Sequence, residues 1–226
     1  MEERQKQLLT LVIENHIETA EPVGSKFLVE ESNLDWSEAT VRNELRALEE
    51  EGFLTHPHTS AGRIPTSKGY RFYVDNFDFD KKHISSVEEM QIKKDSQNKT
   101  DDDRKKTAKK LAEISGETVI IAFSKNSIYY TGLSNLFQKP EFTSLASVVN
   151  ISSVFDHFEE VFRGFYEKLT IEPTYFIGKE HTLGAMLSVL AARFGKNQES
   201  CIVLLGPERM NYGKNFSLMK SVLDTI

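Results

Sequence analysis

Four polar side chains that could bond to DNA bases lie within about two turns of one predicted helix. They belong to the stretch DWSEATVRNELRALEEEGF, residues 35–53, and are Thr40, Arg42, Asn43 and Arg46. Arginine forms paired hydrogen bonds with guanine, and asparagine does so with adenine. The acids Glu49, Glu50 and Glu51 cluster at the C-terminal end of the helix, away from the four. This order predicts that the N-terminal half of the helix enters a major groove. The alternative is an ordinary solvated, charged face.

A loop that lacks carboxylates follows this helix. From Gly52 to Val74 the sequence has three bases and no acid, in a chain of 226 residues whose 34 acids outnumber its 28 bases. The hydroxyls, backbone N–H groups and bases of such a loop can hold phosphates or enter a minor groove. The sequence therefore predicts a wing and a following helix, capped by Thr66, that contact DNA through His58, Thr59, Ser60, Arg63, Lys68, Tyr70 and Arg71. Tyr70 is equally consistent with a core position. If Arg63 binds phosphate, replacing it with alanine should lower the salt slope of binding by about one.

The helix that carries the base-reading residues must be held by other elements. Apolar residues at helical spacing predict a first helix that ends before Pro22 and Gly24. A short helix is expected over residues 25–31. In the third helix Val41, Leu45 and Leu48 share the inward face, and either Asp35 or Ser37 could cap its N-terminus. Two short helices, a turn, a third helix and a wing predict a winged helix-turn-helix domain over residues 1–77.

The rest of the chain has a different pattern. From Asp78 to Lys110 there are 10 bases and 8 acids and few apolar residues, which predicts a charged helical linker over residues 78–114. Beyond it, the runs TVIIAF, SIYYTGL, PTYFIG and ESCIVLLG are typical of strands. Helices are expected over residues 142–169, over LGAMLSVLAARFG and over residues 215–226. We therefore predict a small α/β domain over residues 115–226, and an α+β chain of two domains.

The sequence does not favour an enzyme. It contains no nucleophile elbow, phosphate-binding loop, zinc-protease motif or cysteine pair. We expect no catalytic residue, no cofactor and no metal site, and we expect the single cysteine, Cys201, to be a buried apolar side chain. The longest apolar runs are too short to span a bilayer, and the N-terminus is unlike a signal peptide. These features predict a cytoplasmic protein.

Four runs of the sequence resemble one family. ATVRNELRALEEEGFL and PHTSAGRIPTSKGYRFYVD resemble the signature of the heat-inducible transcription repressor family, HrcA. GLSNLFQKPEF (residues 132–142) and GPERMNY (residues 206–212) resemble that family's later motifs, in the same order. The resemblance implies a winged helix that binds a double-stranded, inverted-repeat operator ahead of bacterial chaperone operons, and a GAF-like C-terminal domain. It also implies a homodimer, release on heat stress and modulation by the chaperonin GroEL.

The chain departs from the family pattern in two respects. Only residues 78–131 stand between the helix after the wing and the GLSNL motif, where the family has a far longer segment, so the sequence indicates a short form without the inserted dimerisation domain. Arg46 and Trp36 also differ from the expected residue types, so the operator preference could differ. The alternative function is a ligand-gated protein-interaction module, in which the winged helix binds protein and the GAF-like domain senses a small molecule. The net charge of −6 favours this alternative slightly.

Overall fold

The computed structural model describes residues 1–31, 35–58, 61–94, 100–124 and 127–226. Within these ranges the chain divides into two compact units, Met1–Phe77 and Asp78–Ile226. Each unit buries its own set of apolar side chains.

The first unit consists of helices and a short hairpin. Its elements are α1 (Glu3–Thr19), α2 (Ser25–Glu31), α3 (Glu38–Glu50), β1 (Leu54–Thr55), β2 (Ile64–Pro65) and α4 (Ser67–Asp75). The helices bury one face each, as the spacing of their apolar residues predicts. The buried residues are Leu8, Leu9, Val12 and Ile13 of α1, Val41, Leu45 and Leu48 of α3, and Tyr70, Tyr73 and Val74 of α4.

The two ends of α3 are defined by local backbone chemistry. Of the two predicted caps, Ser37 is the one used: its side chain accepts a hydrogen bond from the Thr40 N–H group at 3.2 Å. This bond satisfies one of the free N–H groups of the first turn. After the helix, Gly52 has a φ of +79°, a backbone conformation that residues other than glycine rarely adopt. The chain therefore turns sharply from α3 into the hairpin.

The second unit is built on a sheet. Its elements are α5 (Ser86–Lys94), α6 (Asp101–Ser115), β3 (Thr118–Ser124), β4 (Ser127–Thr131), α7 (Leu133–Phe137), a 3₁₀ turn (Pro140–Phe142), α8 (Leu145–Asp156), α9 (Phe158–Tyr166), β5 (Thr174–Ile177), β6 (Leu187–Phe194), β7 (Ser200–Pro207) and α10 (Tyr212–Leu223). Among the described residues the sheet has five strands in the order β4-β3-β7-β6-β5, and all neighbours are antiparallel.

The prediction of a helix over LGAMLSVLAARFG was wrong, because residues 187–194 form β6. This strand lies between β7 and β5 and is buried along its length except at Arg193. A strand covered on both faces is apolar at nearly every position, so it lacks the alternation that distinguishes a strand from a buried helix. The helix expected over residues 142–169 is also divided, into α8 and α9.

The segment expected to be a linker forms part of the second unit. Helix α6 buries Thr107, Ala108, Leu111 and Ala112 and contacts β3, while α5 buries Ile92 and contacts α10. The charged residues of α6 pair with one another on its other face, for example Lys106 with Asp103. A narrow stripe of small and apolar residues is therefore sufficient to hold a highly charged helix on the sheet.

Charged residues are also buried in the second unit. Glu117 is 2% exposed, and its Oε1 lies 3.4 Å from Lys139 Nζ. A β-carbon at residue 206 would overlap Glu117 Oε2, so a residue other than glycine there would force the buried Glu117 carboxyl group to move. Burial raises the pKa of Glu117 to about 7, although Lys139 and Arg209 act to lower it and Glu141 adds to the rise.

We predict that the contribution of Glu117 to the stability of the second unit falls as pH rises from about 4.5 to about 7. The unfolded chain releases the Glu117 proton near 4.5, whereas the folded protein keeps it until about 7, so the folded state binds the extra proton between these values. Glu117→Gln stays neutral at every pH. The free energy of unfolding of Glu117→Gln, measured relative to that of the native protein, should therefore rise between pH 5 and pH 8, by up to a few kcal/mol.

Denaturant unfolding at a series of pH values checks this prediction. Glu113→Gln is the matched control, because Glu113 is an exposed acid of α6 paired with Lys110. A constant difference between Glu117→Gln and the native protein across this range would contradict the assignment.

Candidate nucleic-acid interface

The outward face of α3 presents the predicted base-reading residues. Arg42, Asn43 and Arg46 are exposed, and they lie opposite the buried Val41 and Leu45. The core thus fixes the direction in which the three polar side chains point. Thr40 is half-buried, and its hydroxyl lies 2.9 Å from that of Ser37, close to the helix N-terminus.

Both arginines of this face are paired with acids of the same helix. Arg42 Nη2 lies 2.5 Å from Glu38 Oε1, and Arg46 Nε lies 3.0 Å from Glu50 Oε1. The arginine side chains are 69% and 75% exposed. Pairs of this exposed i,i+4 kind contribute only about 0.3 to 0.5 kcal/mol. A guanine or a phosphate can therefore displace the carboxylates at little cost.

The wing comprises β1, β2 and the loop of residues 56–63. Leu54 pairs with Pro65 and Thr55 pairs with Ile64, in antiparallel register. His58 is exposed near the start of the loop. Thr59 and Ser60, which the sequence predicts as DNA contacts, lie outside the described residues.

Arg63 does not point freely into solvent. Its side chain is 24% exposed, and Nη2 lies 2.8 Å from Oε2 of Glu49, a residue of the last turn of α3. The other oxygen of Glu49 pairs with His56 Nδ1. Glu49 and its two partners, Arg63 and His56, form what we call the Glu49 cluster. The structure therefore places Arg63 against α3.

The three predicted contacts at the start of α4 differ in their accessibility. Lys68 is exposed, but its Nζ donates to the carbonyl oxygen of Glu51 at 2.7 Å. The Lys68 ammonium group also lies 4.2 Å from the centre of the Phe53 ring. Because a cation is favourable at a helix C-terminus, Lys68 stabilises the end of α3. Arg71 is half-buried, and its Nη1 lies 3.2 Å from Asp75 Oδ1.

Tyr70 is placed in the core and not at the surface. It is 2% exposed, and its hydroxyl group lies 2.6 Å from His16 Nδ1 of α1. A residue this deeply buried cannot reach DNA without unfolding of α4. Of the two roles that the sequence left open, the structure therefore supports packing.

Sequence reasoning missed the residues that hold the wing. Glu49 and His56 read as a surface acid and a loop base. Val23 also holds the wing, through an antiparallel bridge with Arg63, and its residue type gives no sign of this. Glu49 and His56 are seven residues apart in the sequence, but they come into contact only because the chain turns after α3. The sequence contains no pattern that indicates the pairing of Glu49 with Arg63.

Two absences within the described ranges concern membranes and metals. None of the helices in those ranges is long and apolar enough to cross a membrane. The same ranges contain no group of three or more His, Cys, Asp or Glu residues that could hold a metal ion.

Comparison with known proteins gives consistent matches to one family. The family model described as HrcA protein C terminal domain matches residues 76–215, more than half of the chain. The heat-inducible transcription repressor HrcA of Acetivibrio thermocellus is 57% identical over 75 residues, which are 33% of this chain and 21% of that protein. The protein of the same name from Caldanaerobacter subterraneus subsp. tengcongensis is 42% identical over 127 residues, 55% of this chain and 36% of that protein. The matches thus span well under half of these relatives.

One solved structure has a similar fold. It is the crystal structure of a hypothetical protein, with a TM-score of 0.77 and 19% sequence identity, and the match covers 100% of this chain and 96% of the other. At this level of identity the likeness concerns the fold alone.

Proposed function

The chain belongs to the HrcA family, and from this we propose that it is a transcriptional repressor of heat-shock (chaperone) operons. In this proposal it acts in the cytoplasm as a homodimer on a double-stranded, inverted-repeat operator. Heat stress releases it from the operator, and the chaperonin GroEL modulates the active fraction. The names of the relatives support repression and heat induction.

The observation that carries the DNA-binding part is the outward face of α3. Arg42, Asn43 and Arg46 are exposed on the third helix of a helix-turn-helix, backed by the buried Val41 and Leu45. In such units this helix lies in the major groove, and its N-terminal residues contact base edges. A dimer with two such helices matches an inverted repeat, because the two-fold symmetry of the protein is then repeated in the DNA.

The acidic total charge does not oppose this proposal. The acids of the last turn of α3 and the residue after it, Glu49 to Glu51, lie at the opposite end of the helix from Thr40. Phosphate binding depends on the local potential at the contact surface and not on the net charge of the chain. In the base-reading half, Arg42 and Arg46 balance the two acids Glu38 and Glu44, so this half can approach DNA although the chain as a whole is acidic.

We predict that Arg42→Ala weakens binding to the operator by about 1 to 3 kcal/mol and weakens binding to random DNA much less. The reason is that a bidentate contact with guanine discriminates between bases, whereas a contact with phosphate does not. Fluorescence anisotropy with the chain's own upstream region and with a scrambled duplex, at one salt concentration, measures both affinities.

Lys6→Ala is the control for this experiment. Lys6 is another partly exposed base of the first unit, and it is paired with Glu3 of α1. It should leave both affinities unchanged. Equal losses on operator and random DNA for Arg42→Ala would remove the base-reading role of Arg42. Sedimentation of the protein with and without operator tests the dimer.

We predict that operator occupancy is lost together with folded structure in a narrow temperature range just above growth temperature. A domain of this size unfolds with a large enthalpy, so it loses its folded population over about ten degrees, and a net stability of only a few kcal/mol places that range near growth temperature. Circular dichroism and anisotropy, recorded on the same temperature ramp, should give coincident midpoints. Adding GroEL should raise the bound fraction on return to low temperature. Melting far above growth temperature, with binding intact throughout, contradicts heat release.

A cavity in the second unit supports a second candidate, a ligand-gated protein-interaction module. The cavity has a volume of about 280 Å³ and is lined mostly by apolar atoms of Phe142, Ser147, Asn150, Ile151, Val154 and residues 183–187. An apolar protein cavity of about 150 Å³ holds benzene, so this one has room for an uncharged two-ring aromatic molecule. Small-molecule sites in proteins are typically such clefts.

We predict that Prodan, an uncharged fluorophore with a two-ring naphthalene core, binds this cavity and becomes brighter there. Ala185→Trp should reduce the fluorescence gain several-fold, because Ala185 is an exposed residue of the lining and a large ring would occupy the space. Ala146→Trp is the control, on an exposed position of α8 that is not part of the lining. Equal fluorescence for both variants and the native protein would exclude the cavity as the site.

A further inference from the structure

Glu49 connects the recognition helix α3 to the wing through both of its carboxylate oxygens. Oε2 lies 2.8 Å from Arg63 Nη2, and Oε1 pairs with His56 Nδ1. The side chains of Glu49 and Arg63 are 22% and 24% exposed, far less than those of the Arg42 and Arg46 pairs on the same helix. Partial exclusion of water strengthens such a contact. In addition, Arg63 Nε is buried and has no hydrogen-bond partner, so the guanidinium group lies against protein.

The backbone of Arg63 is fixed on another side. Its N–H group donates to the carbonyl oxygen of Val23 at 2.8 Å, and the Val23 N–H group donates back at 2.9 Å. A β-carbon on Gly62 would lie 2.5 Å from the carbonyl carbon of Val23, so only glycine permits this approach. Arg63 is therefore held by its backbone on the segment between α1 and α2, and by its side chain on α3.

From this arrangement we propose that Glu49 is a positioning residue for DNA binding. It holds the base of the wing on α3 through Arg63 and His56, and Arg63 acts as a strut between α3 and the wing rather than as a phosphate contact. This inference rests on the proposed DNA binding, and it replaces the phosphate-binding role that the sequence alone suggests for Arg63.

The two roles of Arg63 predict opposite effects of removing the Glu49 charge. If Arg63 binds phosphate, Glu49 competes with DNA for the guanidinium group and also repels the backbone, so Glu49→Gln should tighten binding. If Arg63 is a strut, Glu49→Gln loosens the wing and weakens binding, although the protein has lost a negative charge. The sign of the effect therefore decides between them.

The test compares Glu49→Gln with Glu50→Gln at several salt concentrations, with operator and with random duplex DNA. Glu50 is the neighbouring acid, is well exposed and is paired with Arg46, so its variant makes the same change of charge without touching the wing. We expect Glu49→Gln to weaken operator binding about fivefold, the order of effect of one partly shielded charge-assisted contact. Glu50→Gln should leave the affinity unchanged or raise it.

Arg63→Gln supplies the second arm. A strut predicts a loss of affinity similar to that of Glu49→Gln, with the salt slope unchanged, whereas a phosphate contact predicts a slope lower by about 0.9. The double variant should lose no more affinity than Glu49→Gln alone, because Glu49→Gln already breaks the contact that Arg63→Gln removes. Tighter binding by Glu49→Gln, a reduced slope for Arg63→Gln, or additive losses would each overturn the proposal.

A measurement on the free protein separates this inference from the proposed function. Amide hydrogen exchange at Val23 and Arg63 should become faster in Glu49→Gln, while exchange at Val41 and Leu45 of α3 stays slow. If Glu49→Gln does not fold, His56→Gln breaks the other half of the cluster and should show the same exchange pattern in milder form. If the native protein binds no DNA even at low salt, the proposed function fails while exchange still tests the strut. Normal binding with unchanged exchange overturns the strut alone.

Discussion

The candidate interface of the first unit depends on one contact, the antiparallel β-bridge between Val23 and Arg63. Strands β1 and β2 have only two residues each, and a hairpin of this size is not stable by itself in water. Its position must come from elsewhere in the unit. The Val23 bridge supplies one attachment, and the hydroxyl of Thr66, which donates to the Gly52 carbonyl oxygen at 2.7 Å, supplies another. The wing is thus built as an extension of the helical core.

The two halves of α3 are used for different purposes. In the C-terminal half, the Glu49 carboxylate pairs with Arg63, and just beyond the helix the carbonyl oxygen of Glu51 accepts from Lys68. The N-terminal half keeps Arg42 and Asn43 exposed. The acids that make this segment look unsuitable for DNA therefore include one that organises the wing. The separation explains how one helix of thirteen residues can serve both the proposed DNA contact and the internal support of the wing.

The periodicity of the sequence predicts those features that depend only on residues close together in the chain, such as the buried face of a helix. The inward face of α3, with Val41 and Leu45, follows from helical spacing alone and is confirmed. Strand β6 could not be recognised, since burial on both faces removes the alternation that identifies a strand. The pairing of Glu49 with Arg63 could not be predicted either, because it depends on where the Val23 bridge places the wing. Residues that act through tertiary contacts leave no local pattern, even where their neighbours do.

The two later motifs that resemble the family, residues 132–142 and 206–212, both surround the buried Glu117 in the second unit. Lys139 comes from the first motif, and Gly206 and Arg209 come from the second. When Glu117 is ionised, burying it beside Lys139 costs desolvation energy that their attraction offsets only in part, so the cluster then contributes little net stability at ordinary temperature. This cost falls as temperature rises, because the hydration of ions becomes less favourable. We therefore do not expect weakening of this cluster to drive the proposed heat release. If the chain is inactivated by heat as proposed, the cause must be the small total stability of its units, which such a cluster helps to keep small.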